Sequence, residues 1–239
     1  MAIKESFIQD EEFGEIEVRS NAKIKRYGIK ILSEGRVVLL SPRYGMKESL
    51  LSMLEKNREW VRENLKRVEA RKKIYDFGTK ISTYTFDVEY AFYEGNRIVG
   101  SLNSAEKRLL IRCPKGEDLS SKNSQFIVKS IIENALTIEA KRILPEWLSR
   151  LAEKHGFRYK DCKIRKMHSR WGSCSAGSIH LSSMLLMLPE ELIELVLIHE
   201  LSHTVEMNHS DRFHQLVDRC LGGKERELEK QMRNYSAVL

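Results

Sequence analysis

The chain has 239 residues, 41% of them hydrophobic, which is enough for one large domain or two small ones with a true core. A formal charge of +7 and a pI near 9.2 suit an encounter with nucleic acid, an anionic surface or an acidic substrate, but carry no information about fold. No apolar run approaches the ~20 residues that span a bilayer, and "MAIKESFIQDEEFGEIEV" lacks the basic start and apolar segment of a secretory signal. A cytoplasmic protein without a membrane partner is expected. Cys113, Cys162, Cys174 and Cys220 lie far apart with no C-x-x-C pair, which argues for free buried thiols over a disulfide framework or a four-cysteine zinc site.

In chain order, the first forty residues alternate apolar and polar side chains in "EIEVRS", "KIKRYGIKIL" and "RVVLLSP", broken by Gly28, Gly35 and Pro42. This predicts a small antiparallel sheet. After "SPRYGMKES", Leu50, Leu51, Leu54, Trp60, Val61 and Leu65 recur at helical spacing and predict one helix of about seven turns. Much of the positive charge falls here, in "KNREWVRENLKRVEARKK" (56–73), interleaved with glutamates. That pattern reads as a solvated face laced with i,i+4 pairs in preference to a nucleic-acid stripe.

Strand-like pieces follow, "KISTYTFDVEYAFYE", "NRIVGSLN" and "KRLLIRC", and then the linker "CPKGEDLSSKNSQ" (113–125) gathers Pro, Gly, Ser and charge. The linker sets the expected boundary between an N-terminal α+β region, 1–117, and a C-terminal region, 118–239. Beyond it a long helix carries Phe126, Val128, Ile131, Ile132, Ala135 and Ile138 on one face, and Pro145 should kink or restart it. Short strands in "YKDCKIRKM", "SRWGSCS" and "SIHLSSMLLM" precede a final set of helices. The class is α+β, with no repeat visible.

The chemistry concentrates in "LIELVLIHELSHTVEM", where Pro189, Glu190 and Glu191 mark the start of a helix. His199 and His203 are one turn apart, so their imidazoles lie on one face about 6 Å apart along the axis and can converge on one ion. Zinc suits such a pair. Glu200 is rotated about 100° away, out of reach as a ligand but placed to take a proton from an activated water. Leu192, Leu195, Val196, Leu197, Ile198 and Leu201 cover nearly every direction, so the three polar groups are buried and need partners; a metal supplies them.

A catalytic zinc takes a third protein ligand, and Glu206, His209, Asp211 and His214 are within sequence reach. Glu206 falls about 10.5 Å along the axis from His199, and His214 some 16 Å beyond His203, if the helix continues. His209 is favoured if the helix stops at Asn208 in a left-handed conformation, with Asn208 or Ser210 capping a new helix "DRFHQLVDRC". His214 is held in reserve.

"RWGSCS" followed by "GSIHLSSMLLMLPEELIELVLIHELSHTVEMNHSDRFHQLV" resembles the YgjP-like family of metal-dependent hydrolases, related to SprT-like and WLM-type zinc proteases. The likeness is specific across roughly 164–220, through W-G-S-C-S, the Pro-led helix, H-E-x-x-H and N-H-S-x-x-F, and weaker at "RSNAKIKRYGIKI". It implies a zincin-like catalytic region with His199, His203 and His209 as ligands and Glu200 as general base. The sequence departs from the family at His214, where an aromatic residue often follows the phenylalanine.

"SRWGSCSAGSIHLS" reads as a hairpin with Trp171 as core anchor, Gly172 at a tight spot and Gly177 in the turn. It can also present a strand edge to an extended peptide, which makes Trp171, Gly172, Ser173 and Cys174 candidate substrate-binding residues. His168, His180 and Tyr235 are weaker candidates for contacts to a ligand or an oxyanion. Three functions emerge. The first is a zinc metallopeptidase acting on a peptide or protein. The second is a nucleic-acid-associated protein with a structural metal, which the interleaved glutamates disfavour. The third is a zinc hydrolase of a non-peptide substrate. The oligomeric state is not legible.

Overall fold

The computed structural model describes residues 7–32, 35–70, 74–167 and 169–237, so His168 lies outside the described residues. The chain forms two compact units, Met1–Lys73 and Ile74–Leu239.

The first unit opens with β1 (Phe7–Asp10), β2 (Gly14–Asn21), β3 (Gly28–Ile31) and β4 (Val37–Pro42), ordered β1-β2-β4-β3. The sheet is mixed where an antiparallel one was expected: β2 runs parallel to β4, with Glu17 opposite Val38, and only the outer pairs are antiparallel. Alternation reports which side chains face inward and is blind to the direction of a partner strand.

The expected seven-turn helix is two helices, α1 (Lys47–Lys56) and α2 (Arg58–Ala70). They part at Asn57, whose backbone leaves the helical region while its side-chain amide donates to the Met53 carbonyl at 2.8 Å. Leu50, Leu54 and Val61 bury against Ile16 and Leu39, whereas Leu51 and Trp60 are exposed. The Arg58 guanidinium donates to Asp10, Glu12 and Glu55, and Arg62 donates to Glu12, so carboxylates of the same unit take up part of this positive face.

The second unit begins with β5 (Ile81–Ser82), β6 (Asp87–Tyr93), β7 (Val99–Asn103) and β8 (Arg108–Pro114), ordered β5-β6-β8-β7. Its central pair, β6 and β8, is parallel and its outer pairs are antiparallel. Strand for strand this is the topology of the first unit, and in both the fourth strand ends on a proline, Pro42 or Pro114, ahead of a helix. The repetition is one of topology, which the sequence did not display.

Helix α3 (Lys122–His155) is capped by the Ser121 hydroxyl, which accepts from the Ser124 amide. It passes through Pro145 without ending. The proline forfeits a hydrogen bond, but Leu136, Ala140, Leu144, Leu148 and Leu151 bury a continuous stripe on both sides of it and hold the helix together. Phe126 and Ile138, placed on the apolar face by spacing, are exposed. Val88, Leu109 and Ile111 of the sheet share one core with Val128 and Ile132 of α3. The compact units therefore part at 73/74 and not at 117/118.

The chain continues through β9 (Asp161–Arg165), β10 (Gly172–Ser175), β11 (Ser178–Ser182) and a short 3-10 helix (Ser183–Met187). It ends in α4 (Glu190–Ser202), α5 (Asp211–Cys220) and α6 (Glu225–Met232). The class is α+β, as the sequence predicts. All four cysteines are free, and no helix among the described residues is long and apolar enough to cross a membrane.

Candidate metal centre

Pro189 takes the N-cap of α4, one position earlier than expected, and Glu190 and Glu191 occupy the first turn. Leu192, Ile193, Leu195, Val196, Leu197, Ile198 and Leu201 are all buried, so most of α4 is in apolar contact. Glu200, only 5% exposed, sits in this setting with its Oε2 atom buried and without a hydrogen-bond partner among the described residues. Burial pushes its carboxyl up to about 7, against the opposing charge of Arg170.

The helix ends at Ser202, with His203 still in a helical conformation at the C-cap. The Thr204 amide and hydroxyl both donate to the Leu201 carbonyl, at 2.9 and 2.7 Å, and the Glu206 amide closes on Ser202. Asn208 is not left-handed; the turn is made by these bonds instead. Ser210 then caps α5, its hydroxyl accepting from the Phe213 amide at 3.4 Å. The chain thus reverses between Ser202 and Ser210 and returns His209 to the end of α4.

The result is a convergence of three rings. His199 Nε2 lies 3.2 Å from His203 Nε2 and 3.1 Å from His209 Nε2. Two nitrogens bound about 2.0–2.1 Å from one ion at near-tetrahedral angles lie roughly 3.3 Å apart, so the spacing fits ligands of a common cation. Burial and the neighbouring imidazoles hold His199 down at about 4, and burial lowers His203, which leaves both lone pairs available at neutral pH. The second ring nitrogen of His203 faces the Glu206 carbonyl at 3.2 Å, which fixes Nε2 as the free acceptor. Three converging imidazole nitrogens form a donor set that suits a divalent ion, and a buried carboxylate oxygen without a partner among the described residues lies on the same helix.

The other candidates are placed elsewhere. His214 directs Nδ1 to Glu225 Oε1 at 2.9 Å, and this carboxylate raises its pKa; it groups with Glu225 and Glu229, not with the three histidines. Glu206 offers its carbonyl, not its carboxylate, and Asp211 starts α5. Cys174 is outside the cluster, Tyr235 is exposed beyond α6, and His180 sits on β11 opposite Ser173.

The hairpin predicted from "SRWGSCSAGSIHLS" forms, with Ala176 (φ 49°) and Gly177 (φ 81°) as a two-residue turn between Ser175 and Ser178. Trp171 packs partly buried against the core. Gly172 lies against the catalytic candidate: a Cβ there would stand 2.5 Å from Glu200 Oε1 and 2.8 Å from its Cδ. In the order β10-β11-β9, β10 is the edge strand. The Ser182 amide donates to Trp171 O, so residues 171, 173 and 175 bond inward and the main-chain groups of Gly172 and Cys174 point to the open edge. Two neighbours were given no role from the sequence: Arg170, whose charge reaches Glu200, and Phe213, which contacts all three histidine rings. The signals for Phe213 were its place in N-H-S-x-x-F and three residues after the capping serine.

An α+β fold that gathers an H-E-x-x-H helix and a returning histidine is that of a metal-dependent hydrolase. The chain matches the family model described as YgjP-like, metallopeptidase domain, over residues 25–235, and belongs to that family. It is therefore a metallopeptidase-domain protein, as the sequence resemblance implied. Among solved structures it is similar to the crystal structure of the metallopeptidase zymogen of Pyrococcus abyssi abylysin. That similarity has 26% identity, covers 37% of this chain and 90% of that one, and has a TM-score of 0.34. No curated protein matches it.

Proposed function

We propose that the protein is a zinc peptidase in which His199, His203 and His209 hold the ion and Glu200 is the general base. The observation that carries this reading is the convergence of three Nε2 atoms, at 3.1 and 3.2 Å, on the helix that also bears a buried, unpartnered glutamate oxygen. An all-imidazole set of three with an open position is a zinc donor set. Bound there, the ion supplies Lewis acidity, which makes water nucleophilic at neutral pH and polarises a carbonyl.

The protein's own groups do the rest. Glu200, titrating near 7, takes a proton from the attacking water and returns it to the amide nitrogen as the C–N bond breaks. The open edge of β10 offers the N–H and C=O groups of Gly172 and Cys174 to an extended peptide, and main-chain pairing of this kind is indifferent to side-chain identity. Trp171 and Ser173 flank that contact. Gly172 lets the substrate strand and the glutamate approach each other, because no side chain stands between them.

Metal content and peptide cleavage by wild type and Glu200→Gln test the reading. One zinc per chain in both, with cleavage reduced at least about 100-fold in the variant, is the expected result. Full activity in Glu200→Gln would remove the glutamate from its role, and a wild type that binds no divalent ion would remove the site. Faster turnover of simple esters or phosphoanhydrides than of any peptide would change the substrate class.

A further inference from the structure

Phe213 is fully buried on the first turns of α5, and its ring touches all three imidazoles. Centroid separations are 4.9 Å to His199, 4.6 Å to His203 and 4.8 Å to His209. His203 lies nearly parallel to it, at 29°, while His199 and His209 meet it edgewise, at 76° and 74°. The three histidines come from α4, its C-cap and the loop beyond, yet one apolar ring contacts them all. The backbone reinforces the arrangement, since the Ser210 hydroxyl that caps α5 accepts from the amide of Phe213 itself. The residue beside that cap is His209.

We infer that Phe213 is a positioning residue for the metal ligands, a rigid wall that sets the planes of the three imidazoles before an ion arrives. This rests on the reading of His199, His203 and His209 as ligands. The second torsion of histidine is soft and broad, so an unsupported ring samples many planes, and gathering three of them costs conformational entropy at the moment of binding. Metal-bound histidines are commonly steadied by a hydrogen bond that the second ring nitrogen donates, and His203 has one, from Nδ1–H to the Glu206 carbonyl. For His199 and His209 the contact with Phe213 does the steadying. A flat ring is suited to the task because it can present its face to one imidazole and meet the others edge-on, which a branched aliphatic side chain cannot.

The test separates positioning from mere filling of the core. Phe213→Leu keeps an apolar side chain and loses the flat wall. Phe86→Leu makes the same substitution at another buried position of the same core cluster, in the turn between β5 and β6. Both are measured in the full chain for zinc affinity, by competition with a chromogenic chelator, and for the visible spectrum of the cobalt-substituted protein. Denaturant midpoints of the metal-free forms are taken alongside. Phe213→Leu is expected to weaken zinc about 10-fold or more and to shift the cobalt bands, whereas Phe86→Leu loses comparable stability and keeps wild-type affinity and spectrum. Phe213→Met, closer in volume, serves if the leucine variant does not fold and should show the same separation. Wild-type affinity in the Phe213 variants, or an affinity loss that Phe86→Leu shares, overturns the inference and leaves the metal site standing. Absence of zinc binding by the wild type would overturn both.

Discussion

At the scale of single residues the site depends on what is small as much as on what is charged. Gly172 leaves room for Glu200, and a methyl group there would press on Oε1 at 2.5 Å. The glutamate is itself locked in a buried helix, so it must turn away or push β10 outward. Gly172→Ala is expected to retain the metal and to lower kcat for peptide hydrolysis by about tenfold or more, the usual effect of a displacement near 1 Å at a reacting group. Unchanged kcat with normal metal content would show that the close approach is incidental. His199 and His203 were legible as a pair because their i,i+4 spacing alone places them on one helix face, with Glu200 turned about 100° from it. His209 was reached through a helix stop at Asn208, a cap at Asn208 or Ser210 and the family resemblance, and the left-handed Asn208 expected with it was wrong, because hydrogen bonds from Thr204 and Glu206 make the turn. Phe213 stood in the N-H-S-x-x-F motif, but its contact with the histidines was not legible, since no spacing rule says that three rings will meet a fourth.

Among the elements, α5 shows how one cap serves a site. Ser210→Ala should destabilise the chain by about 1 kcal/mol and weaken metal binding, as read from denaturant midpoints and chelator competition, because the cap anchors both His209 and Phe213. In the first unit the join between β1 and α2 is ionic. Arg58 donates to Asp10 Oδ2 at 2.9 Å and Oδ1 at 3.1 Å, and the amides of Glu12 and Phe13 also donate to Oδ1. These bonds, led by that to Arg58, hold the Asp10 carboxyl below its ordinary 3.8. A depressed carboxyl contributes stability that is complete above the unfolded value and is lost as pH falls through the folded one. Amide exchange in β2 and β4 should therefore accelerate below about pH 4, and Asp10→Asn should flatten that acid dependence while costing about 1–3 kcal/mol at neutral pH. Acid sensitivity unchanged in the variant would place its origin elsewhere. Helix and strand existence was legible here from periodicity. The break at Asn57 and the continuity through Pro145 were not, because a side-chain amide and a buried leucine stripe decided them.

For the whole molecule, the informative fact is where the core lies. The linker at 113–125 looked like a boundary because its composition is that of a loop, yet the strands before it and α3 after it share one set of buried side chains. The three histidines proposed as ligands, Glu200, Gly172 and Phe213 all fall in the second unit. A fragment beginning at Ile74 is therefore expected to fold and bind one zinc with wild-type affinity, checked by circular dichroism and metal titration. A fragment that remains unfolded would make the first unit a structural requirement. The parallel central pairs and the repeated strand order were hidden because pairing direction leaves no periodic trace in either segment. Helix α4, whose leucine, isoleucine and valine side chains are all buried, has one consequence for how the molecule behaves over time. Deuterium should reach the amides from Leu195 to Leu201 last of all, and whatever yields to admit different sequences must be the free rim of the hairpin, working against a helix that stays still.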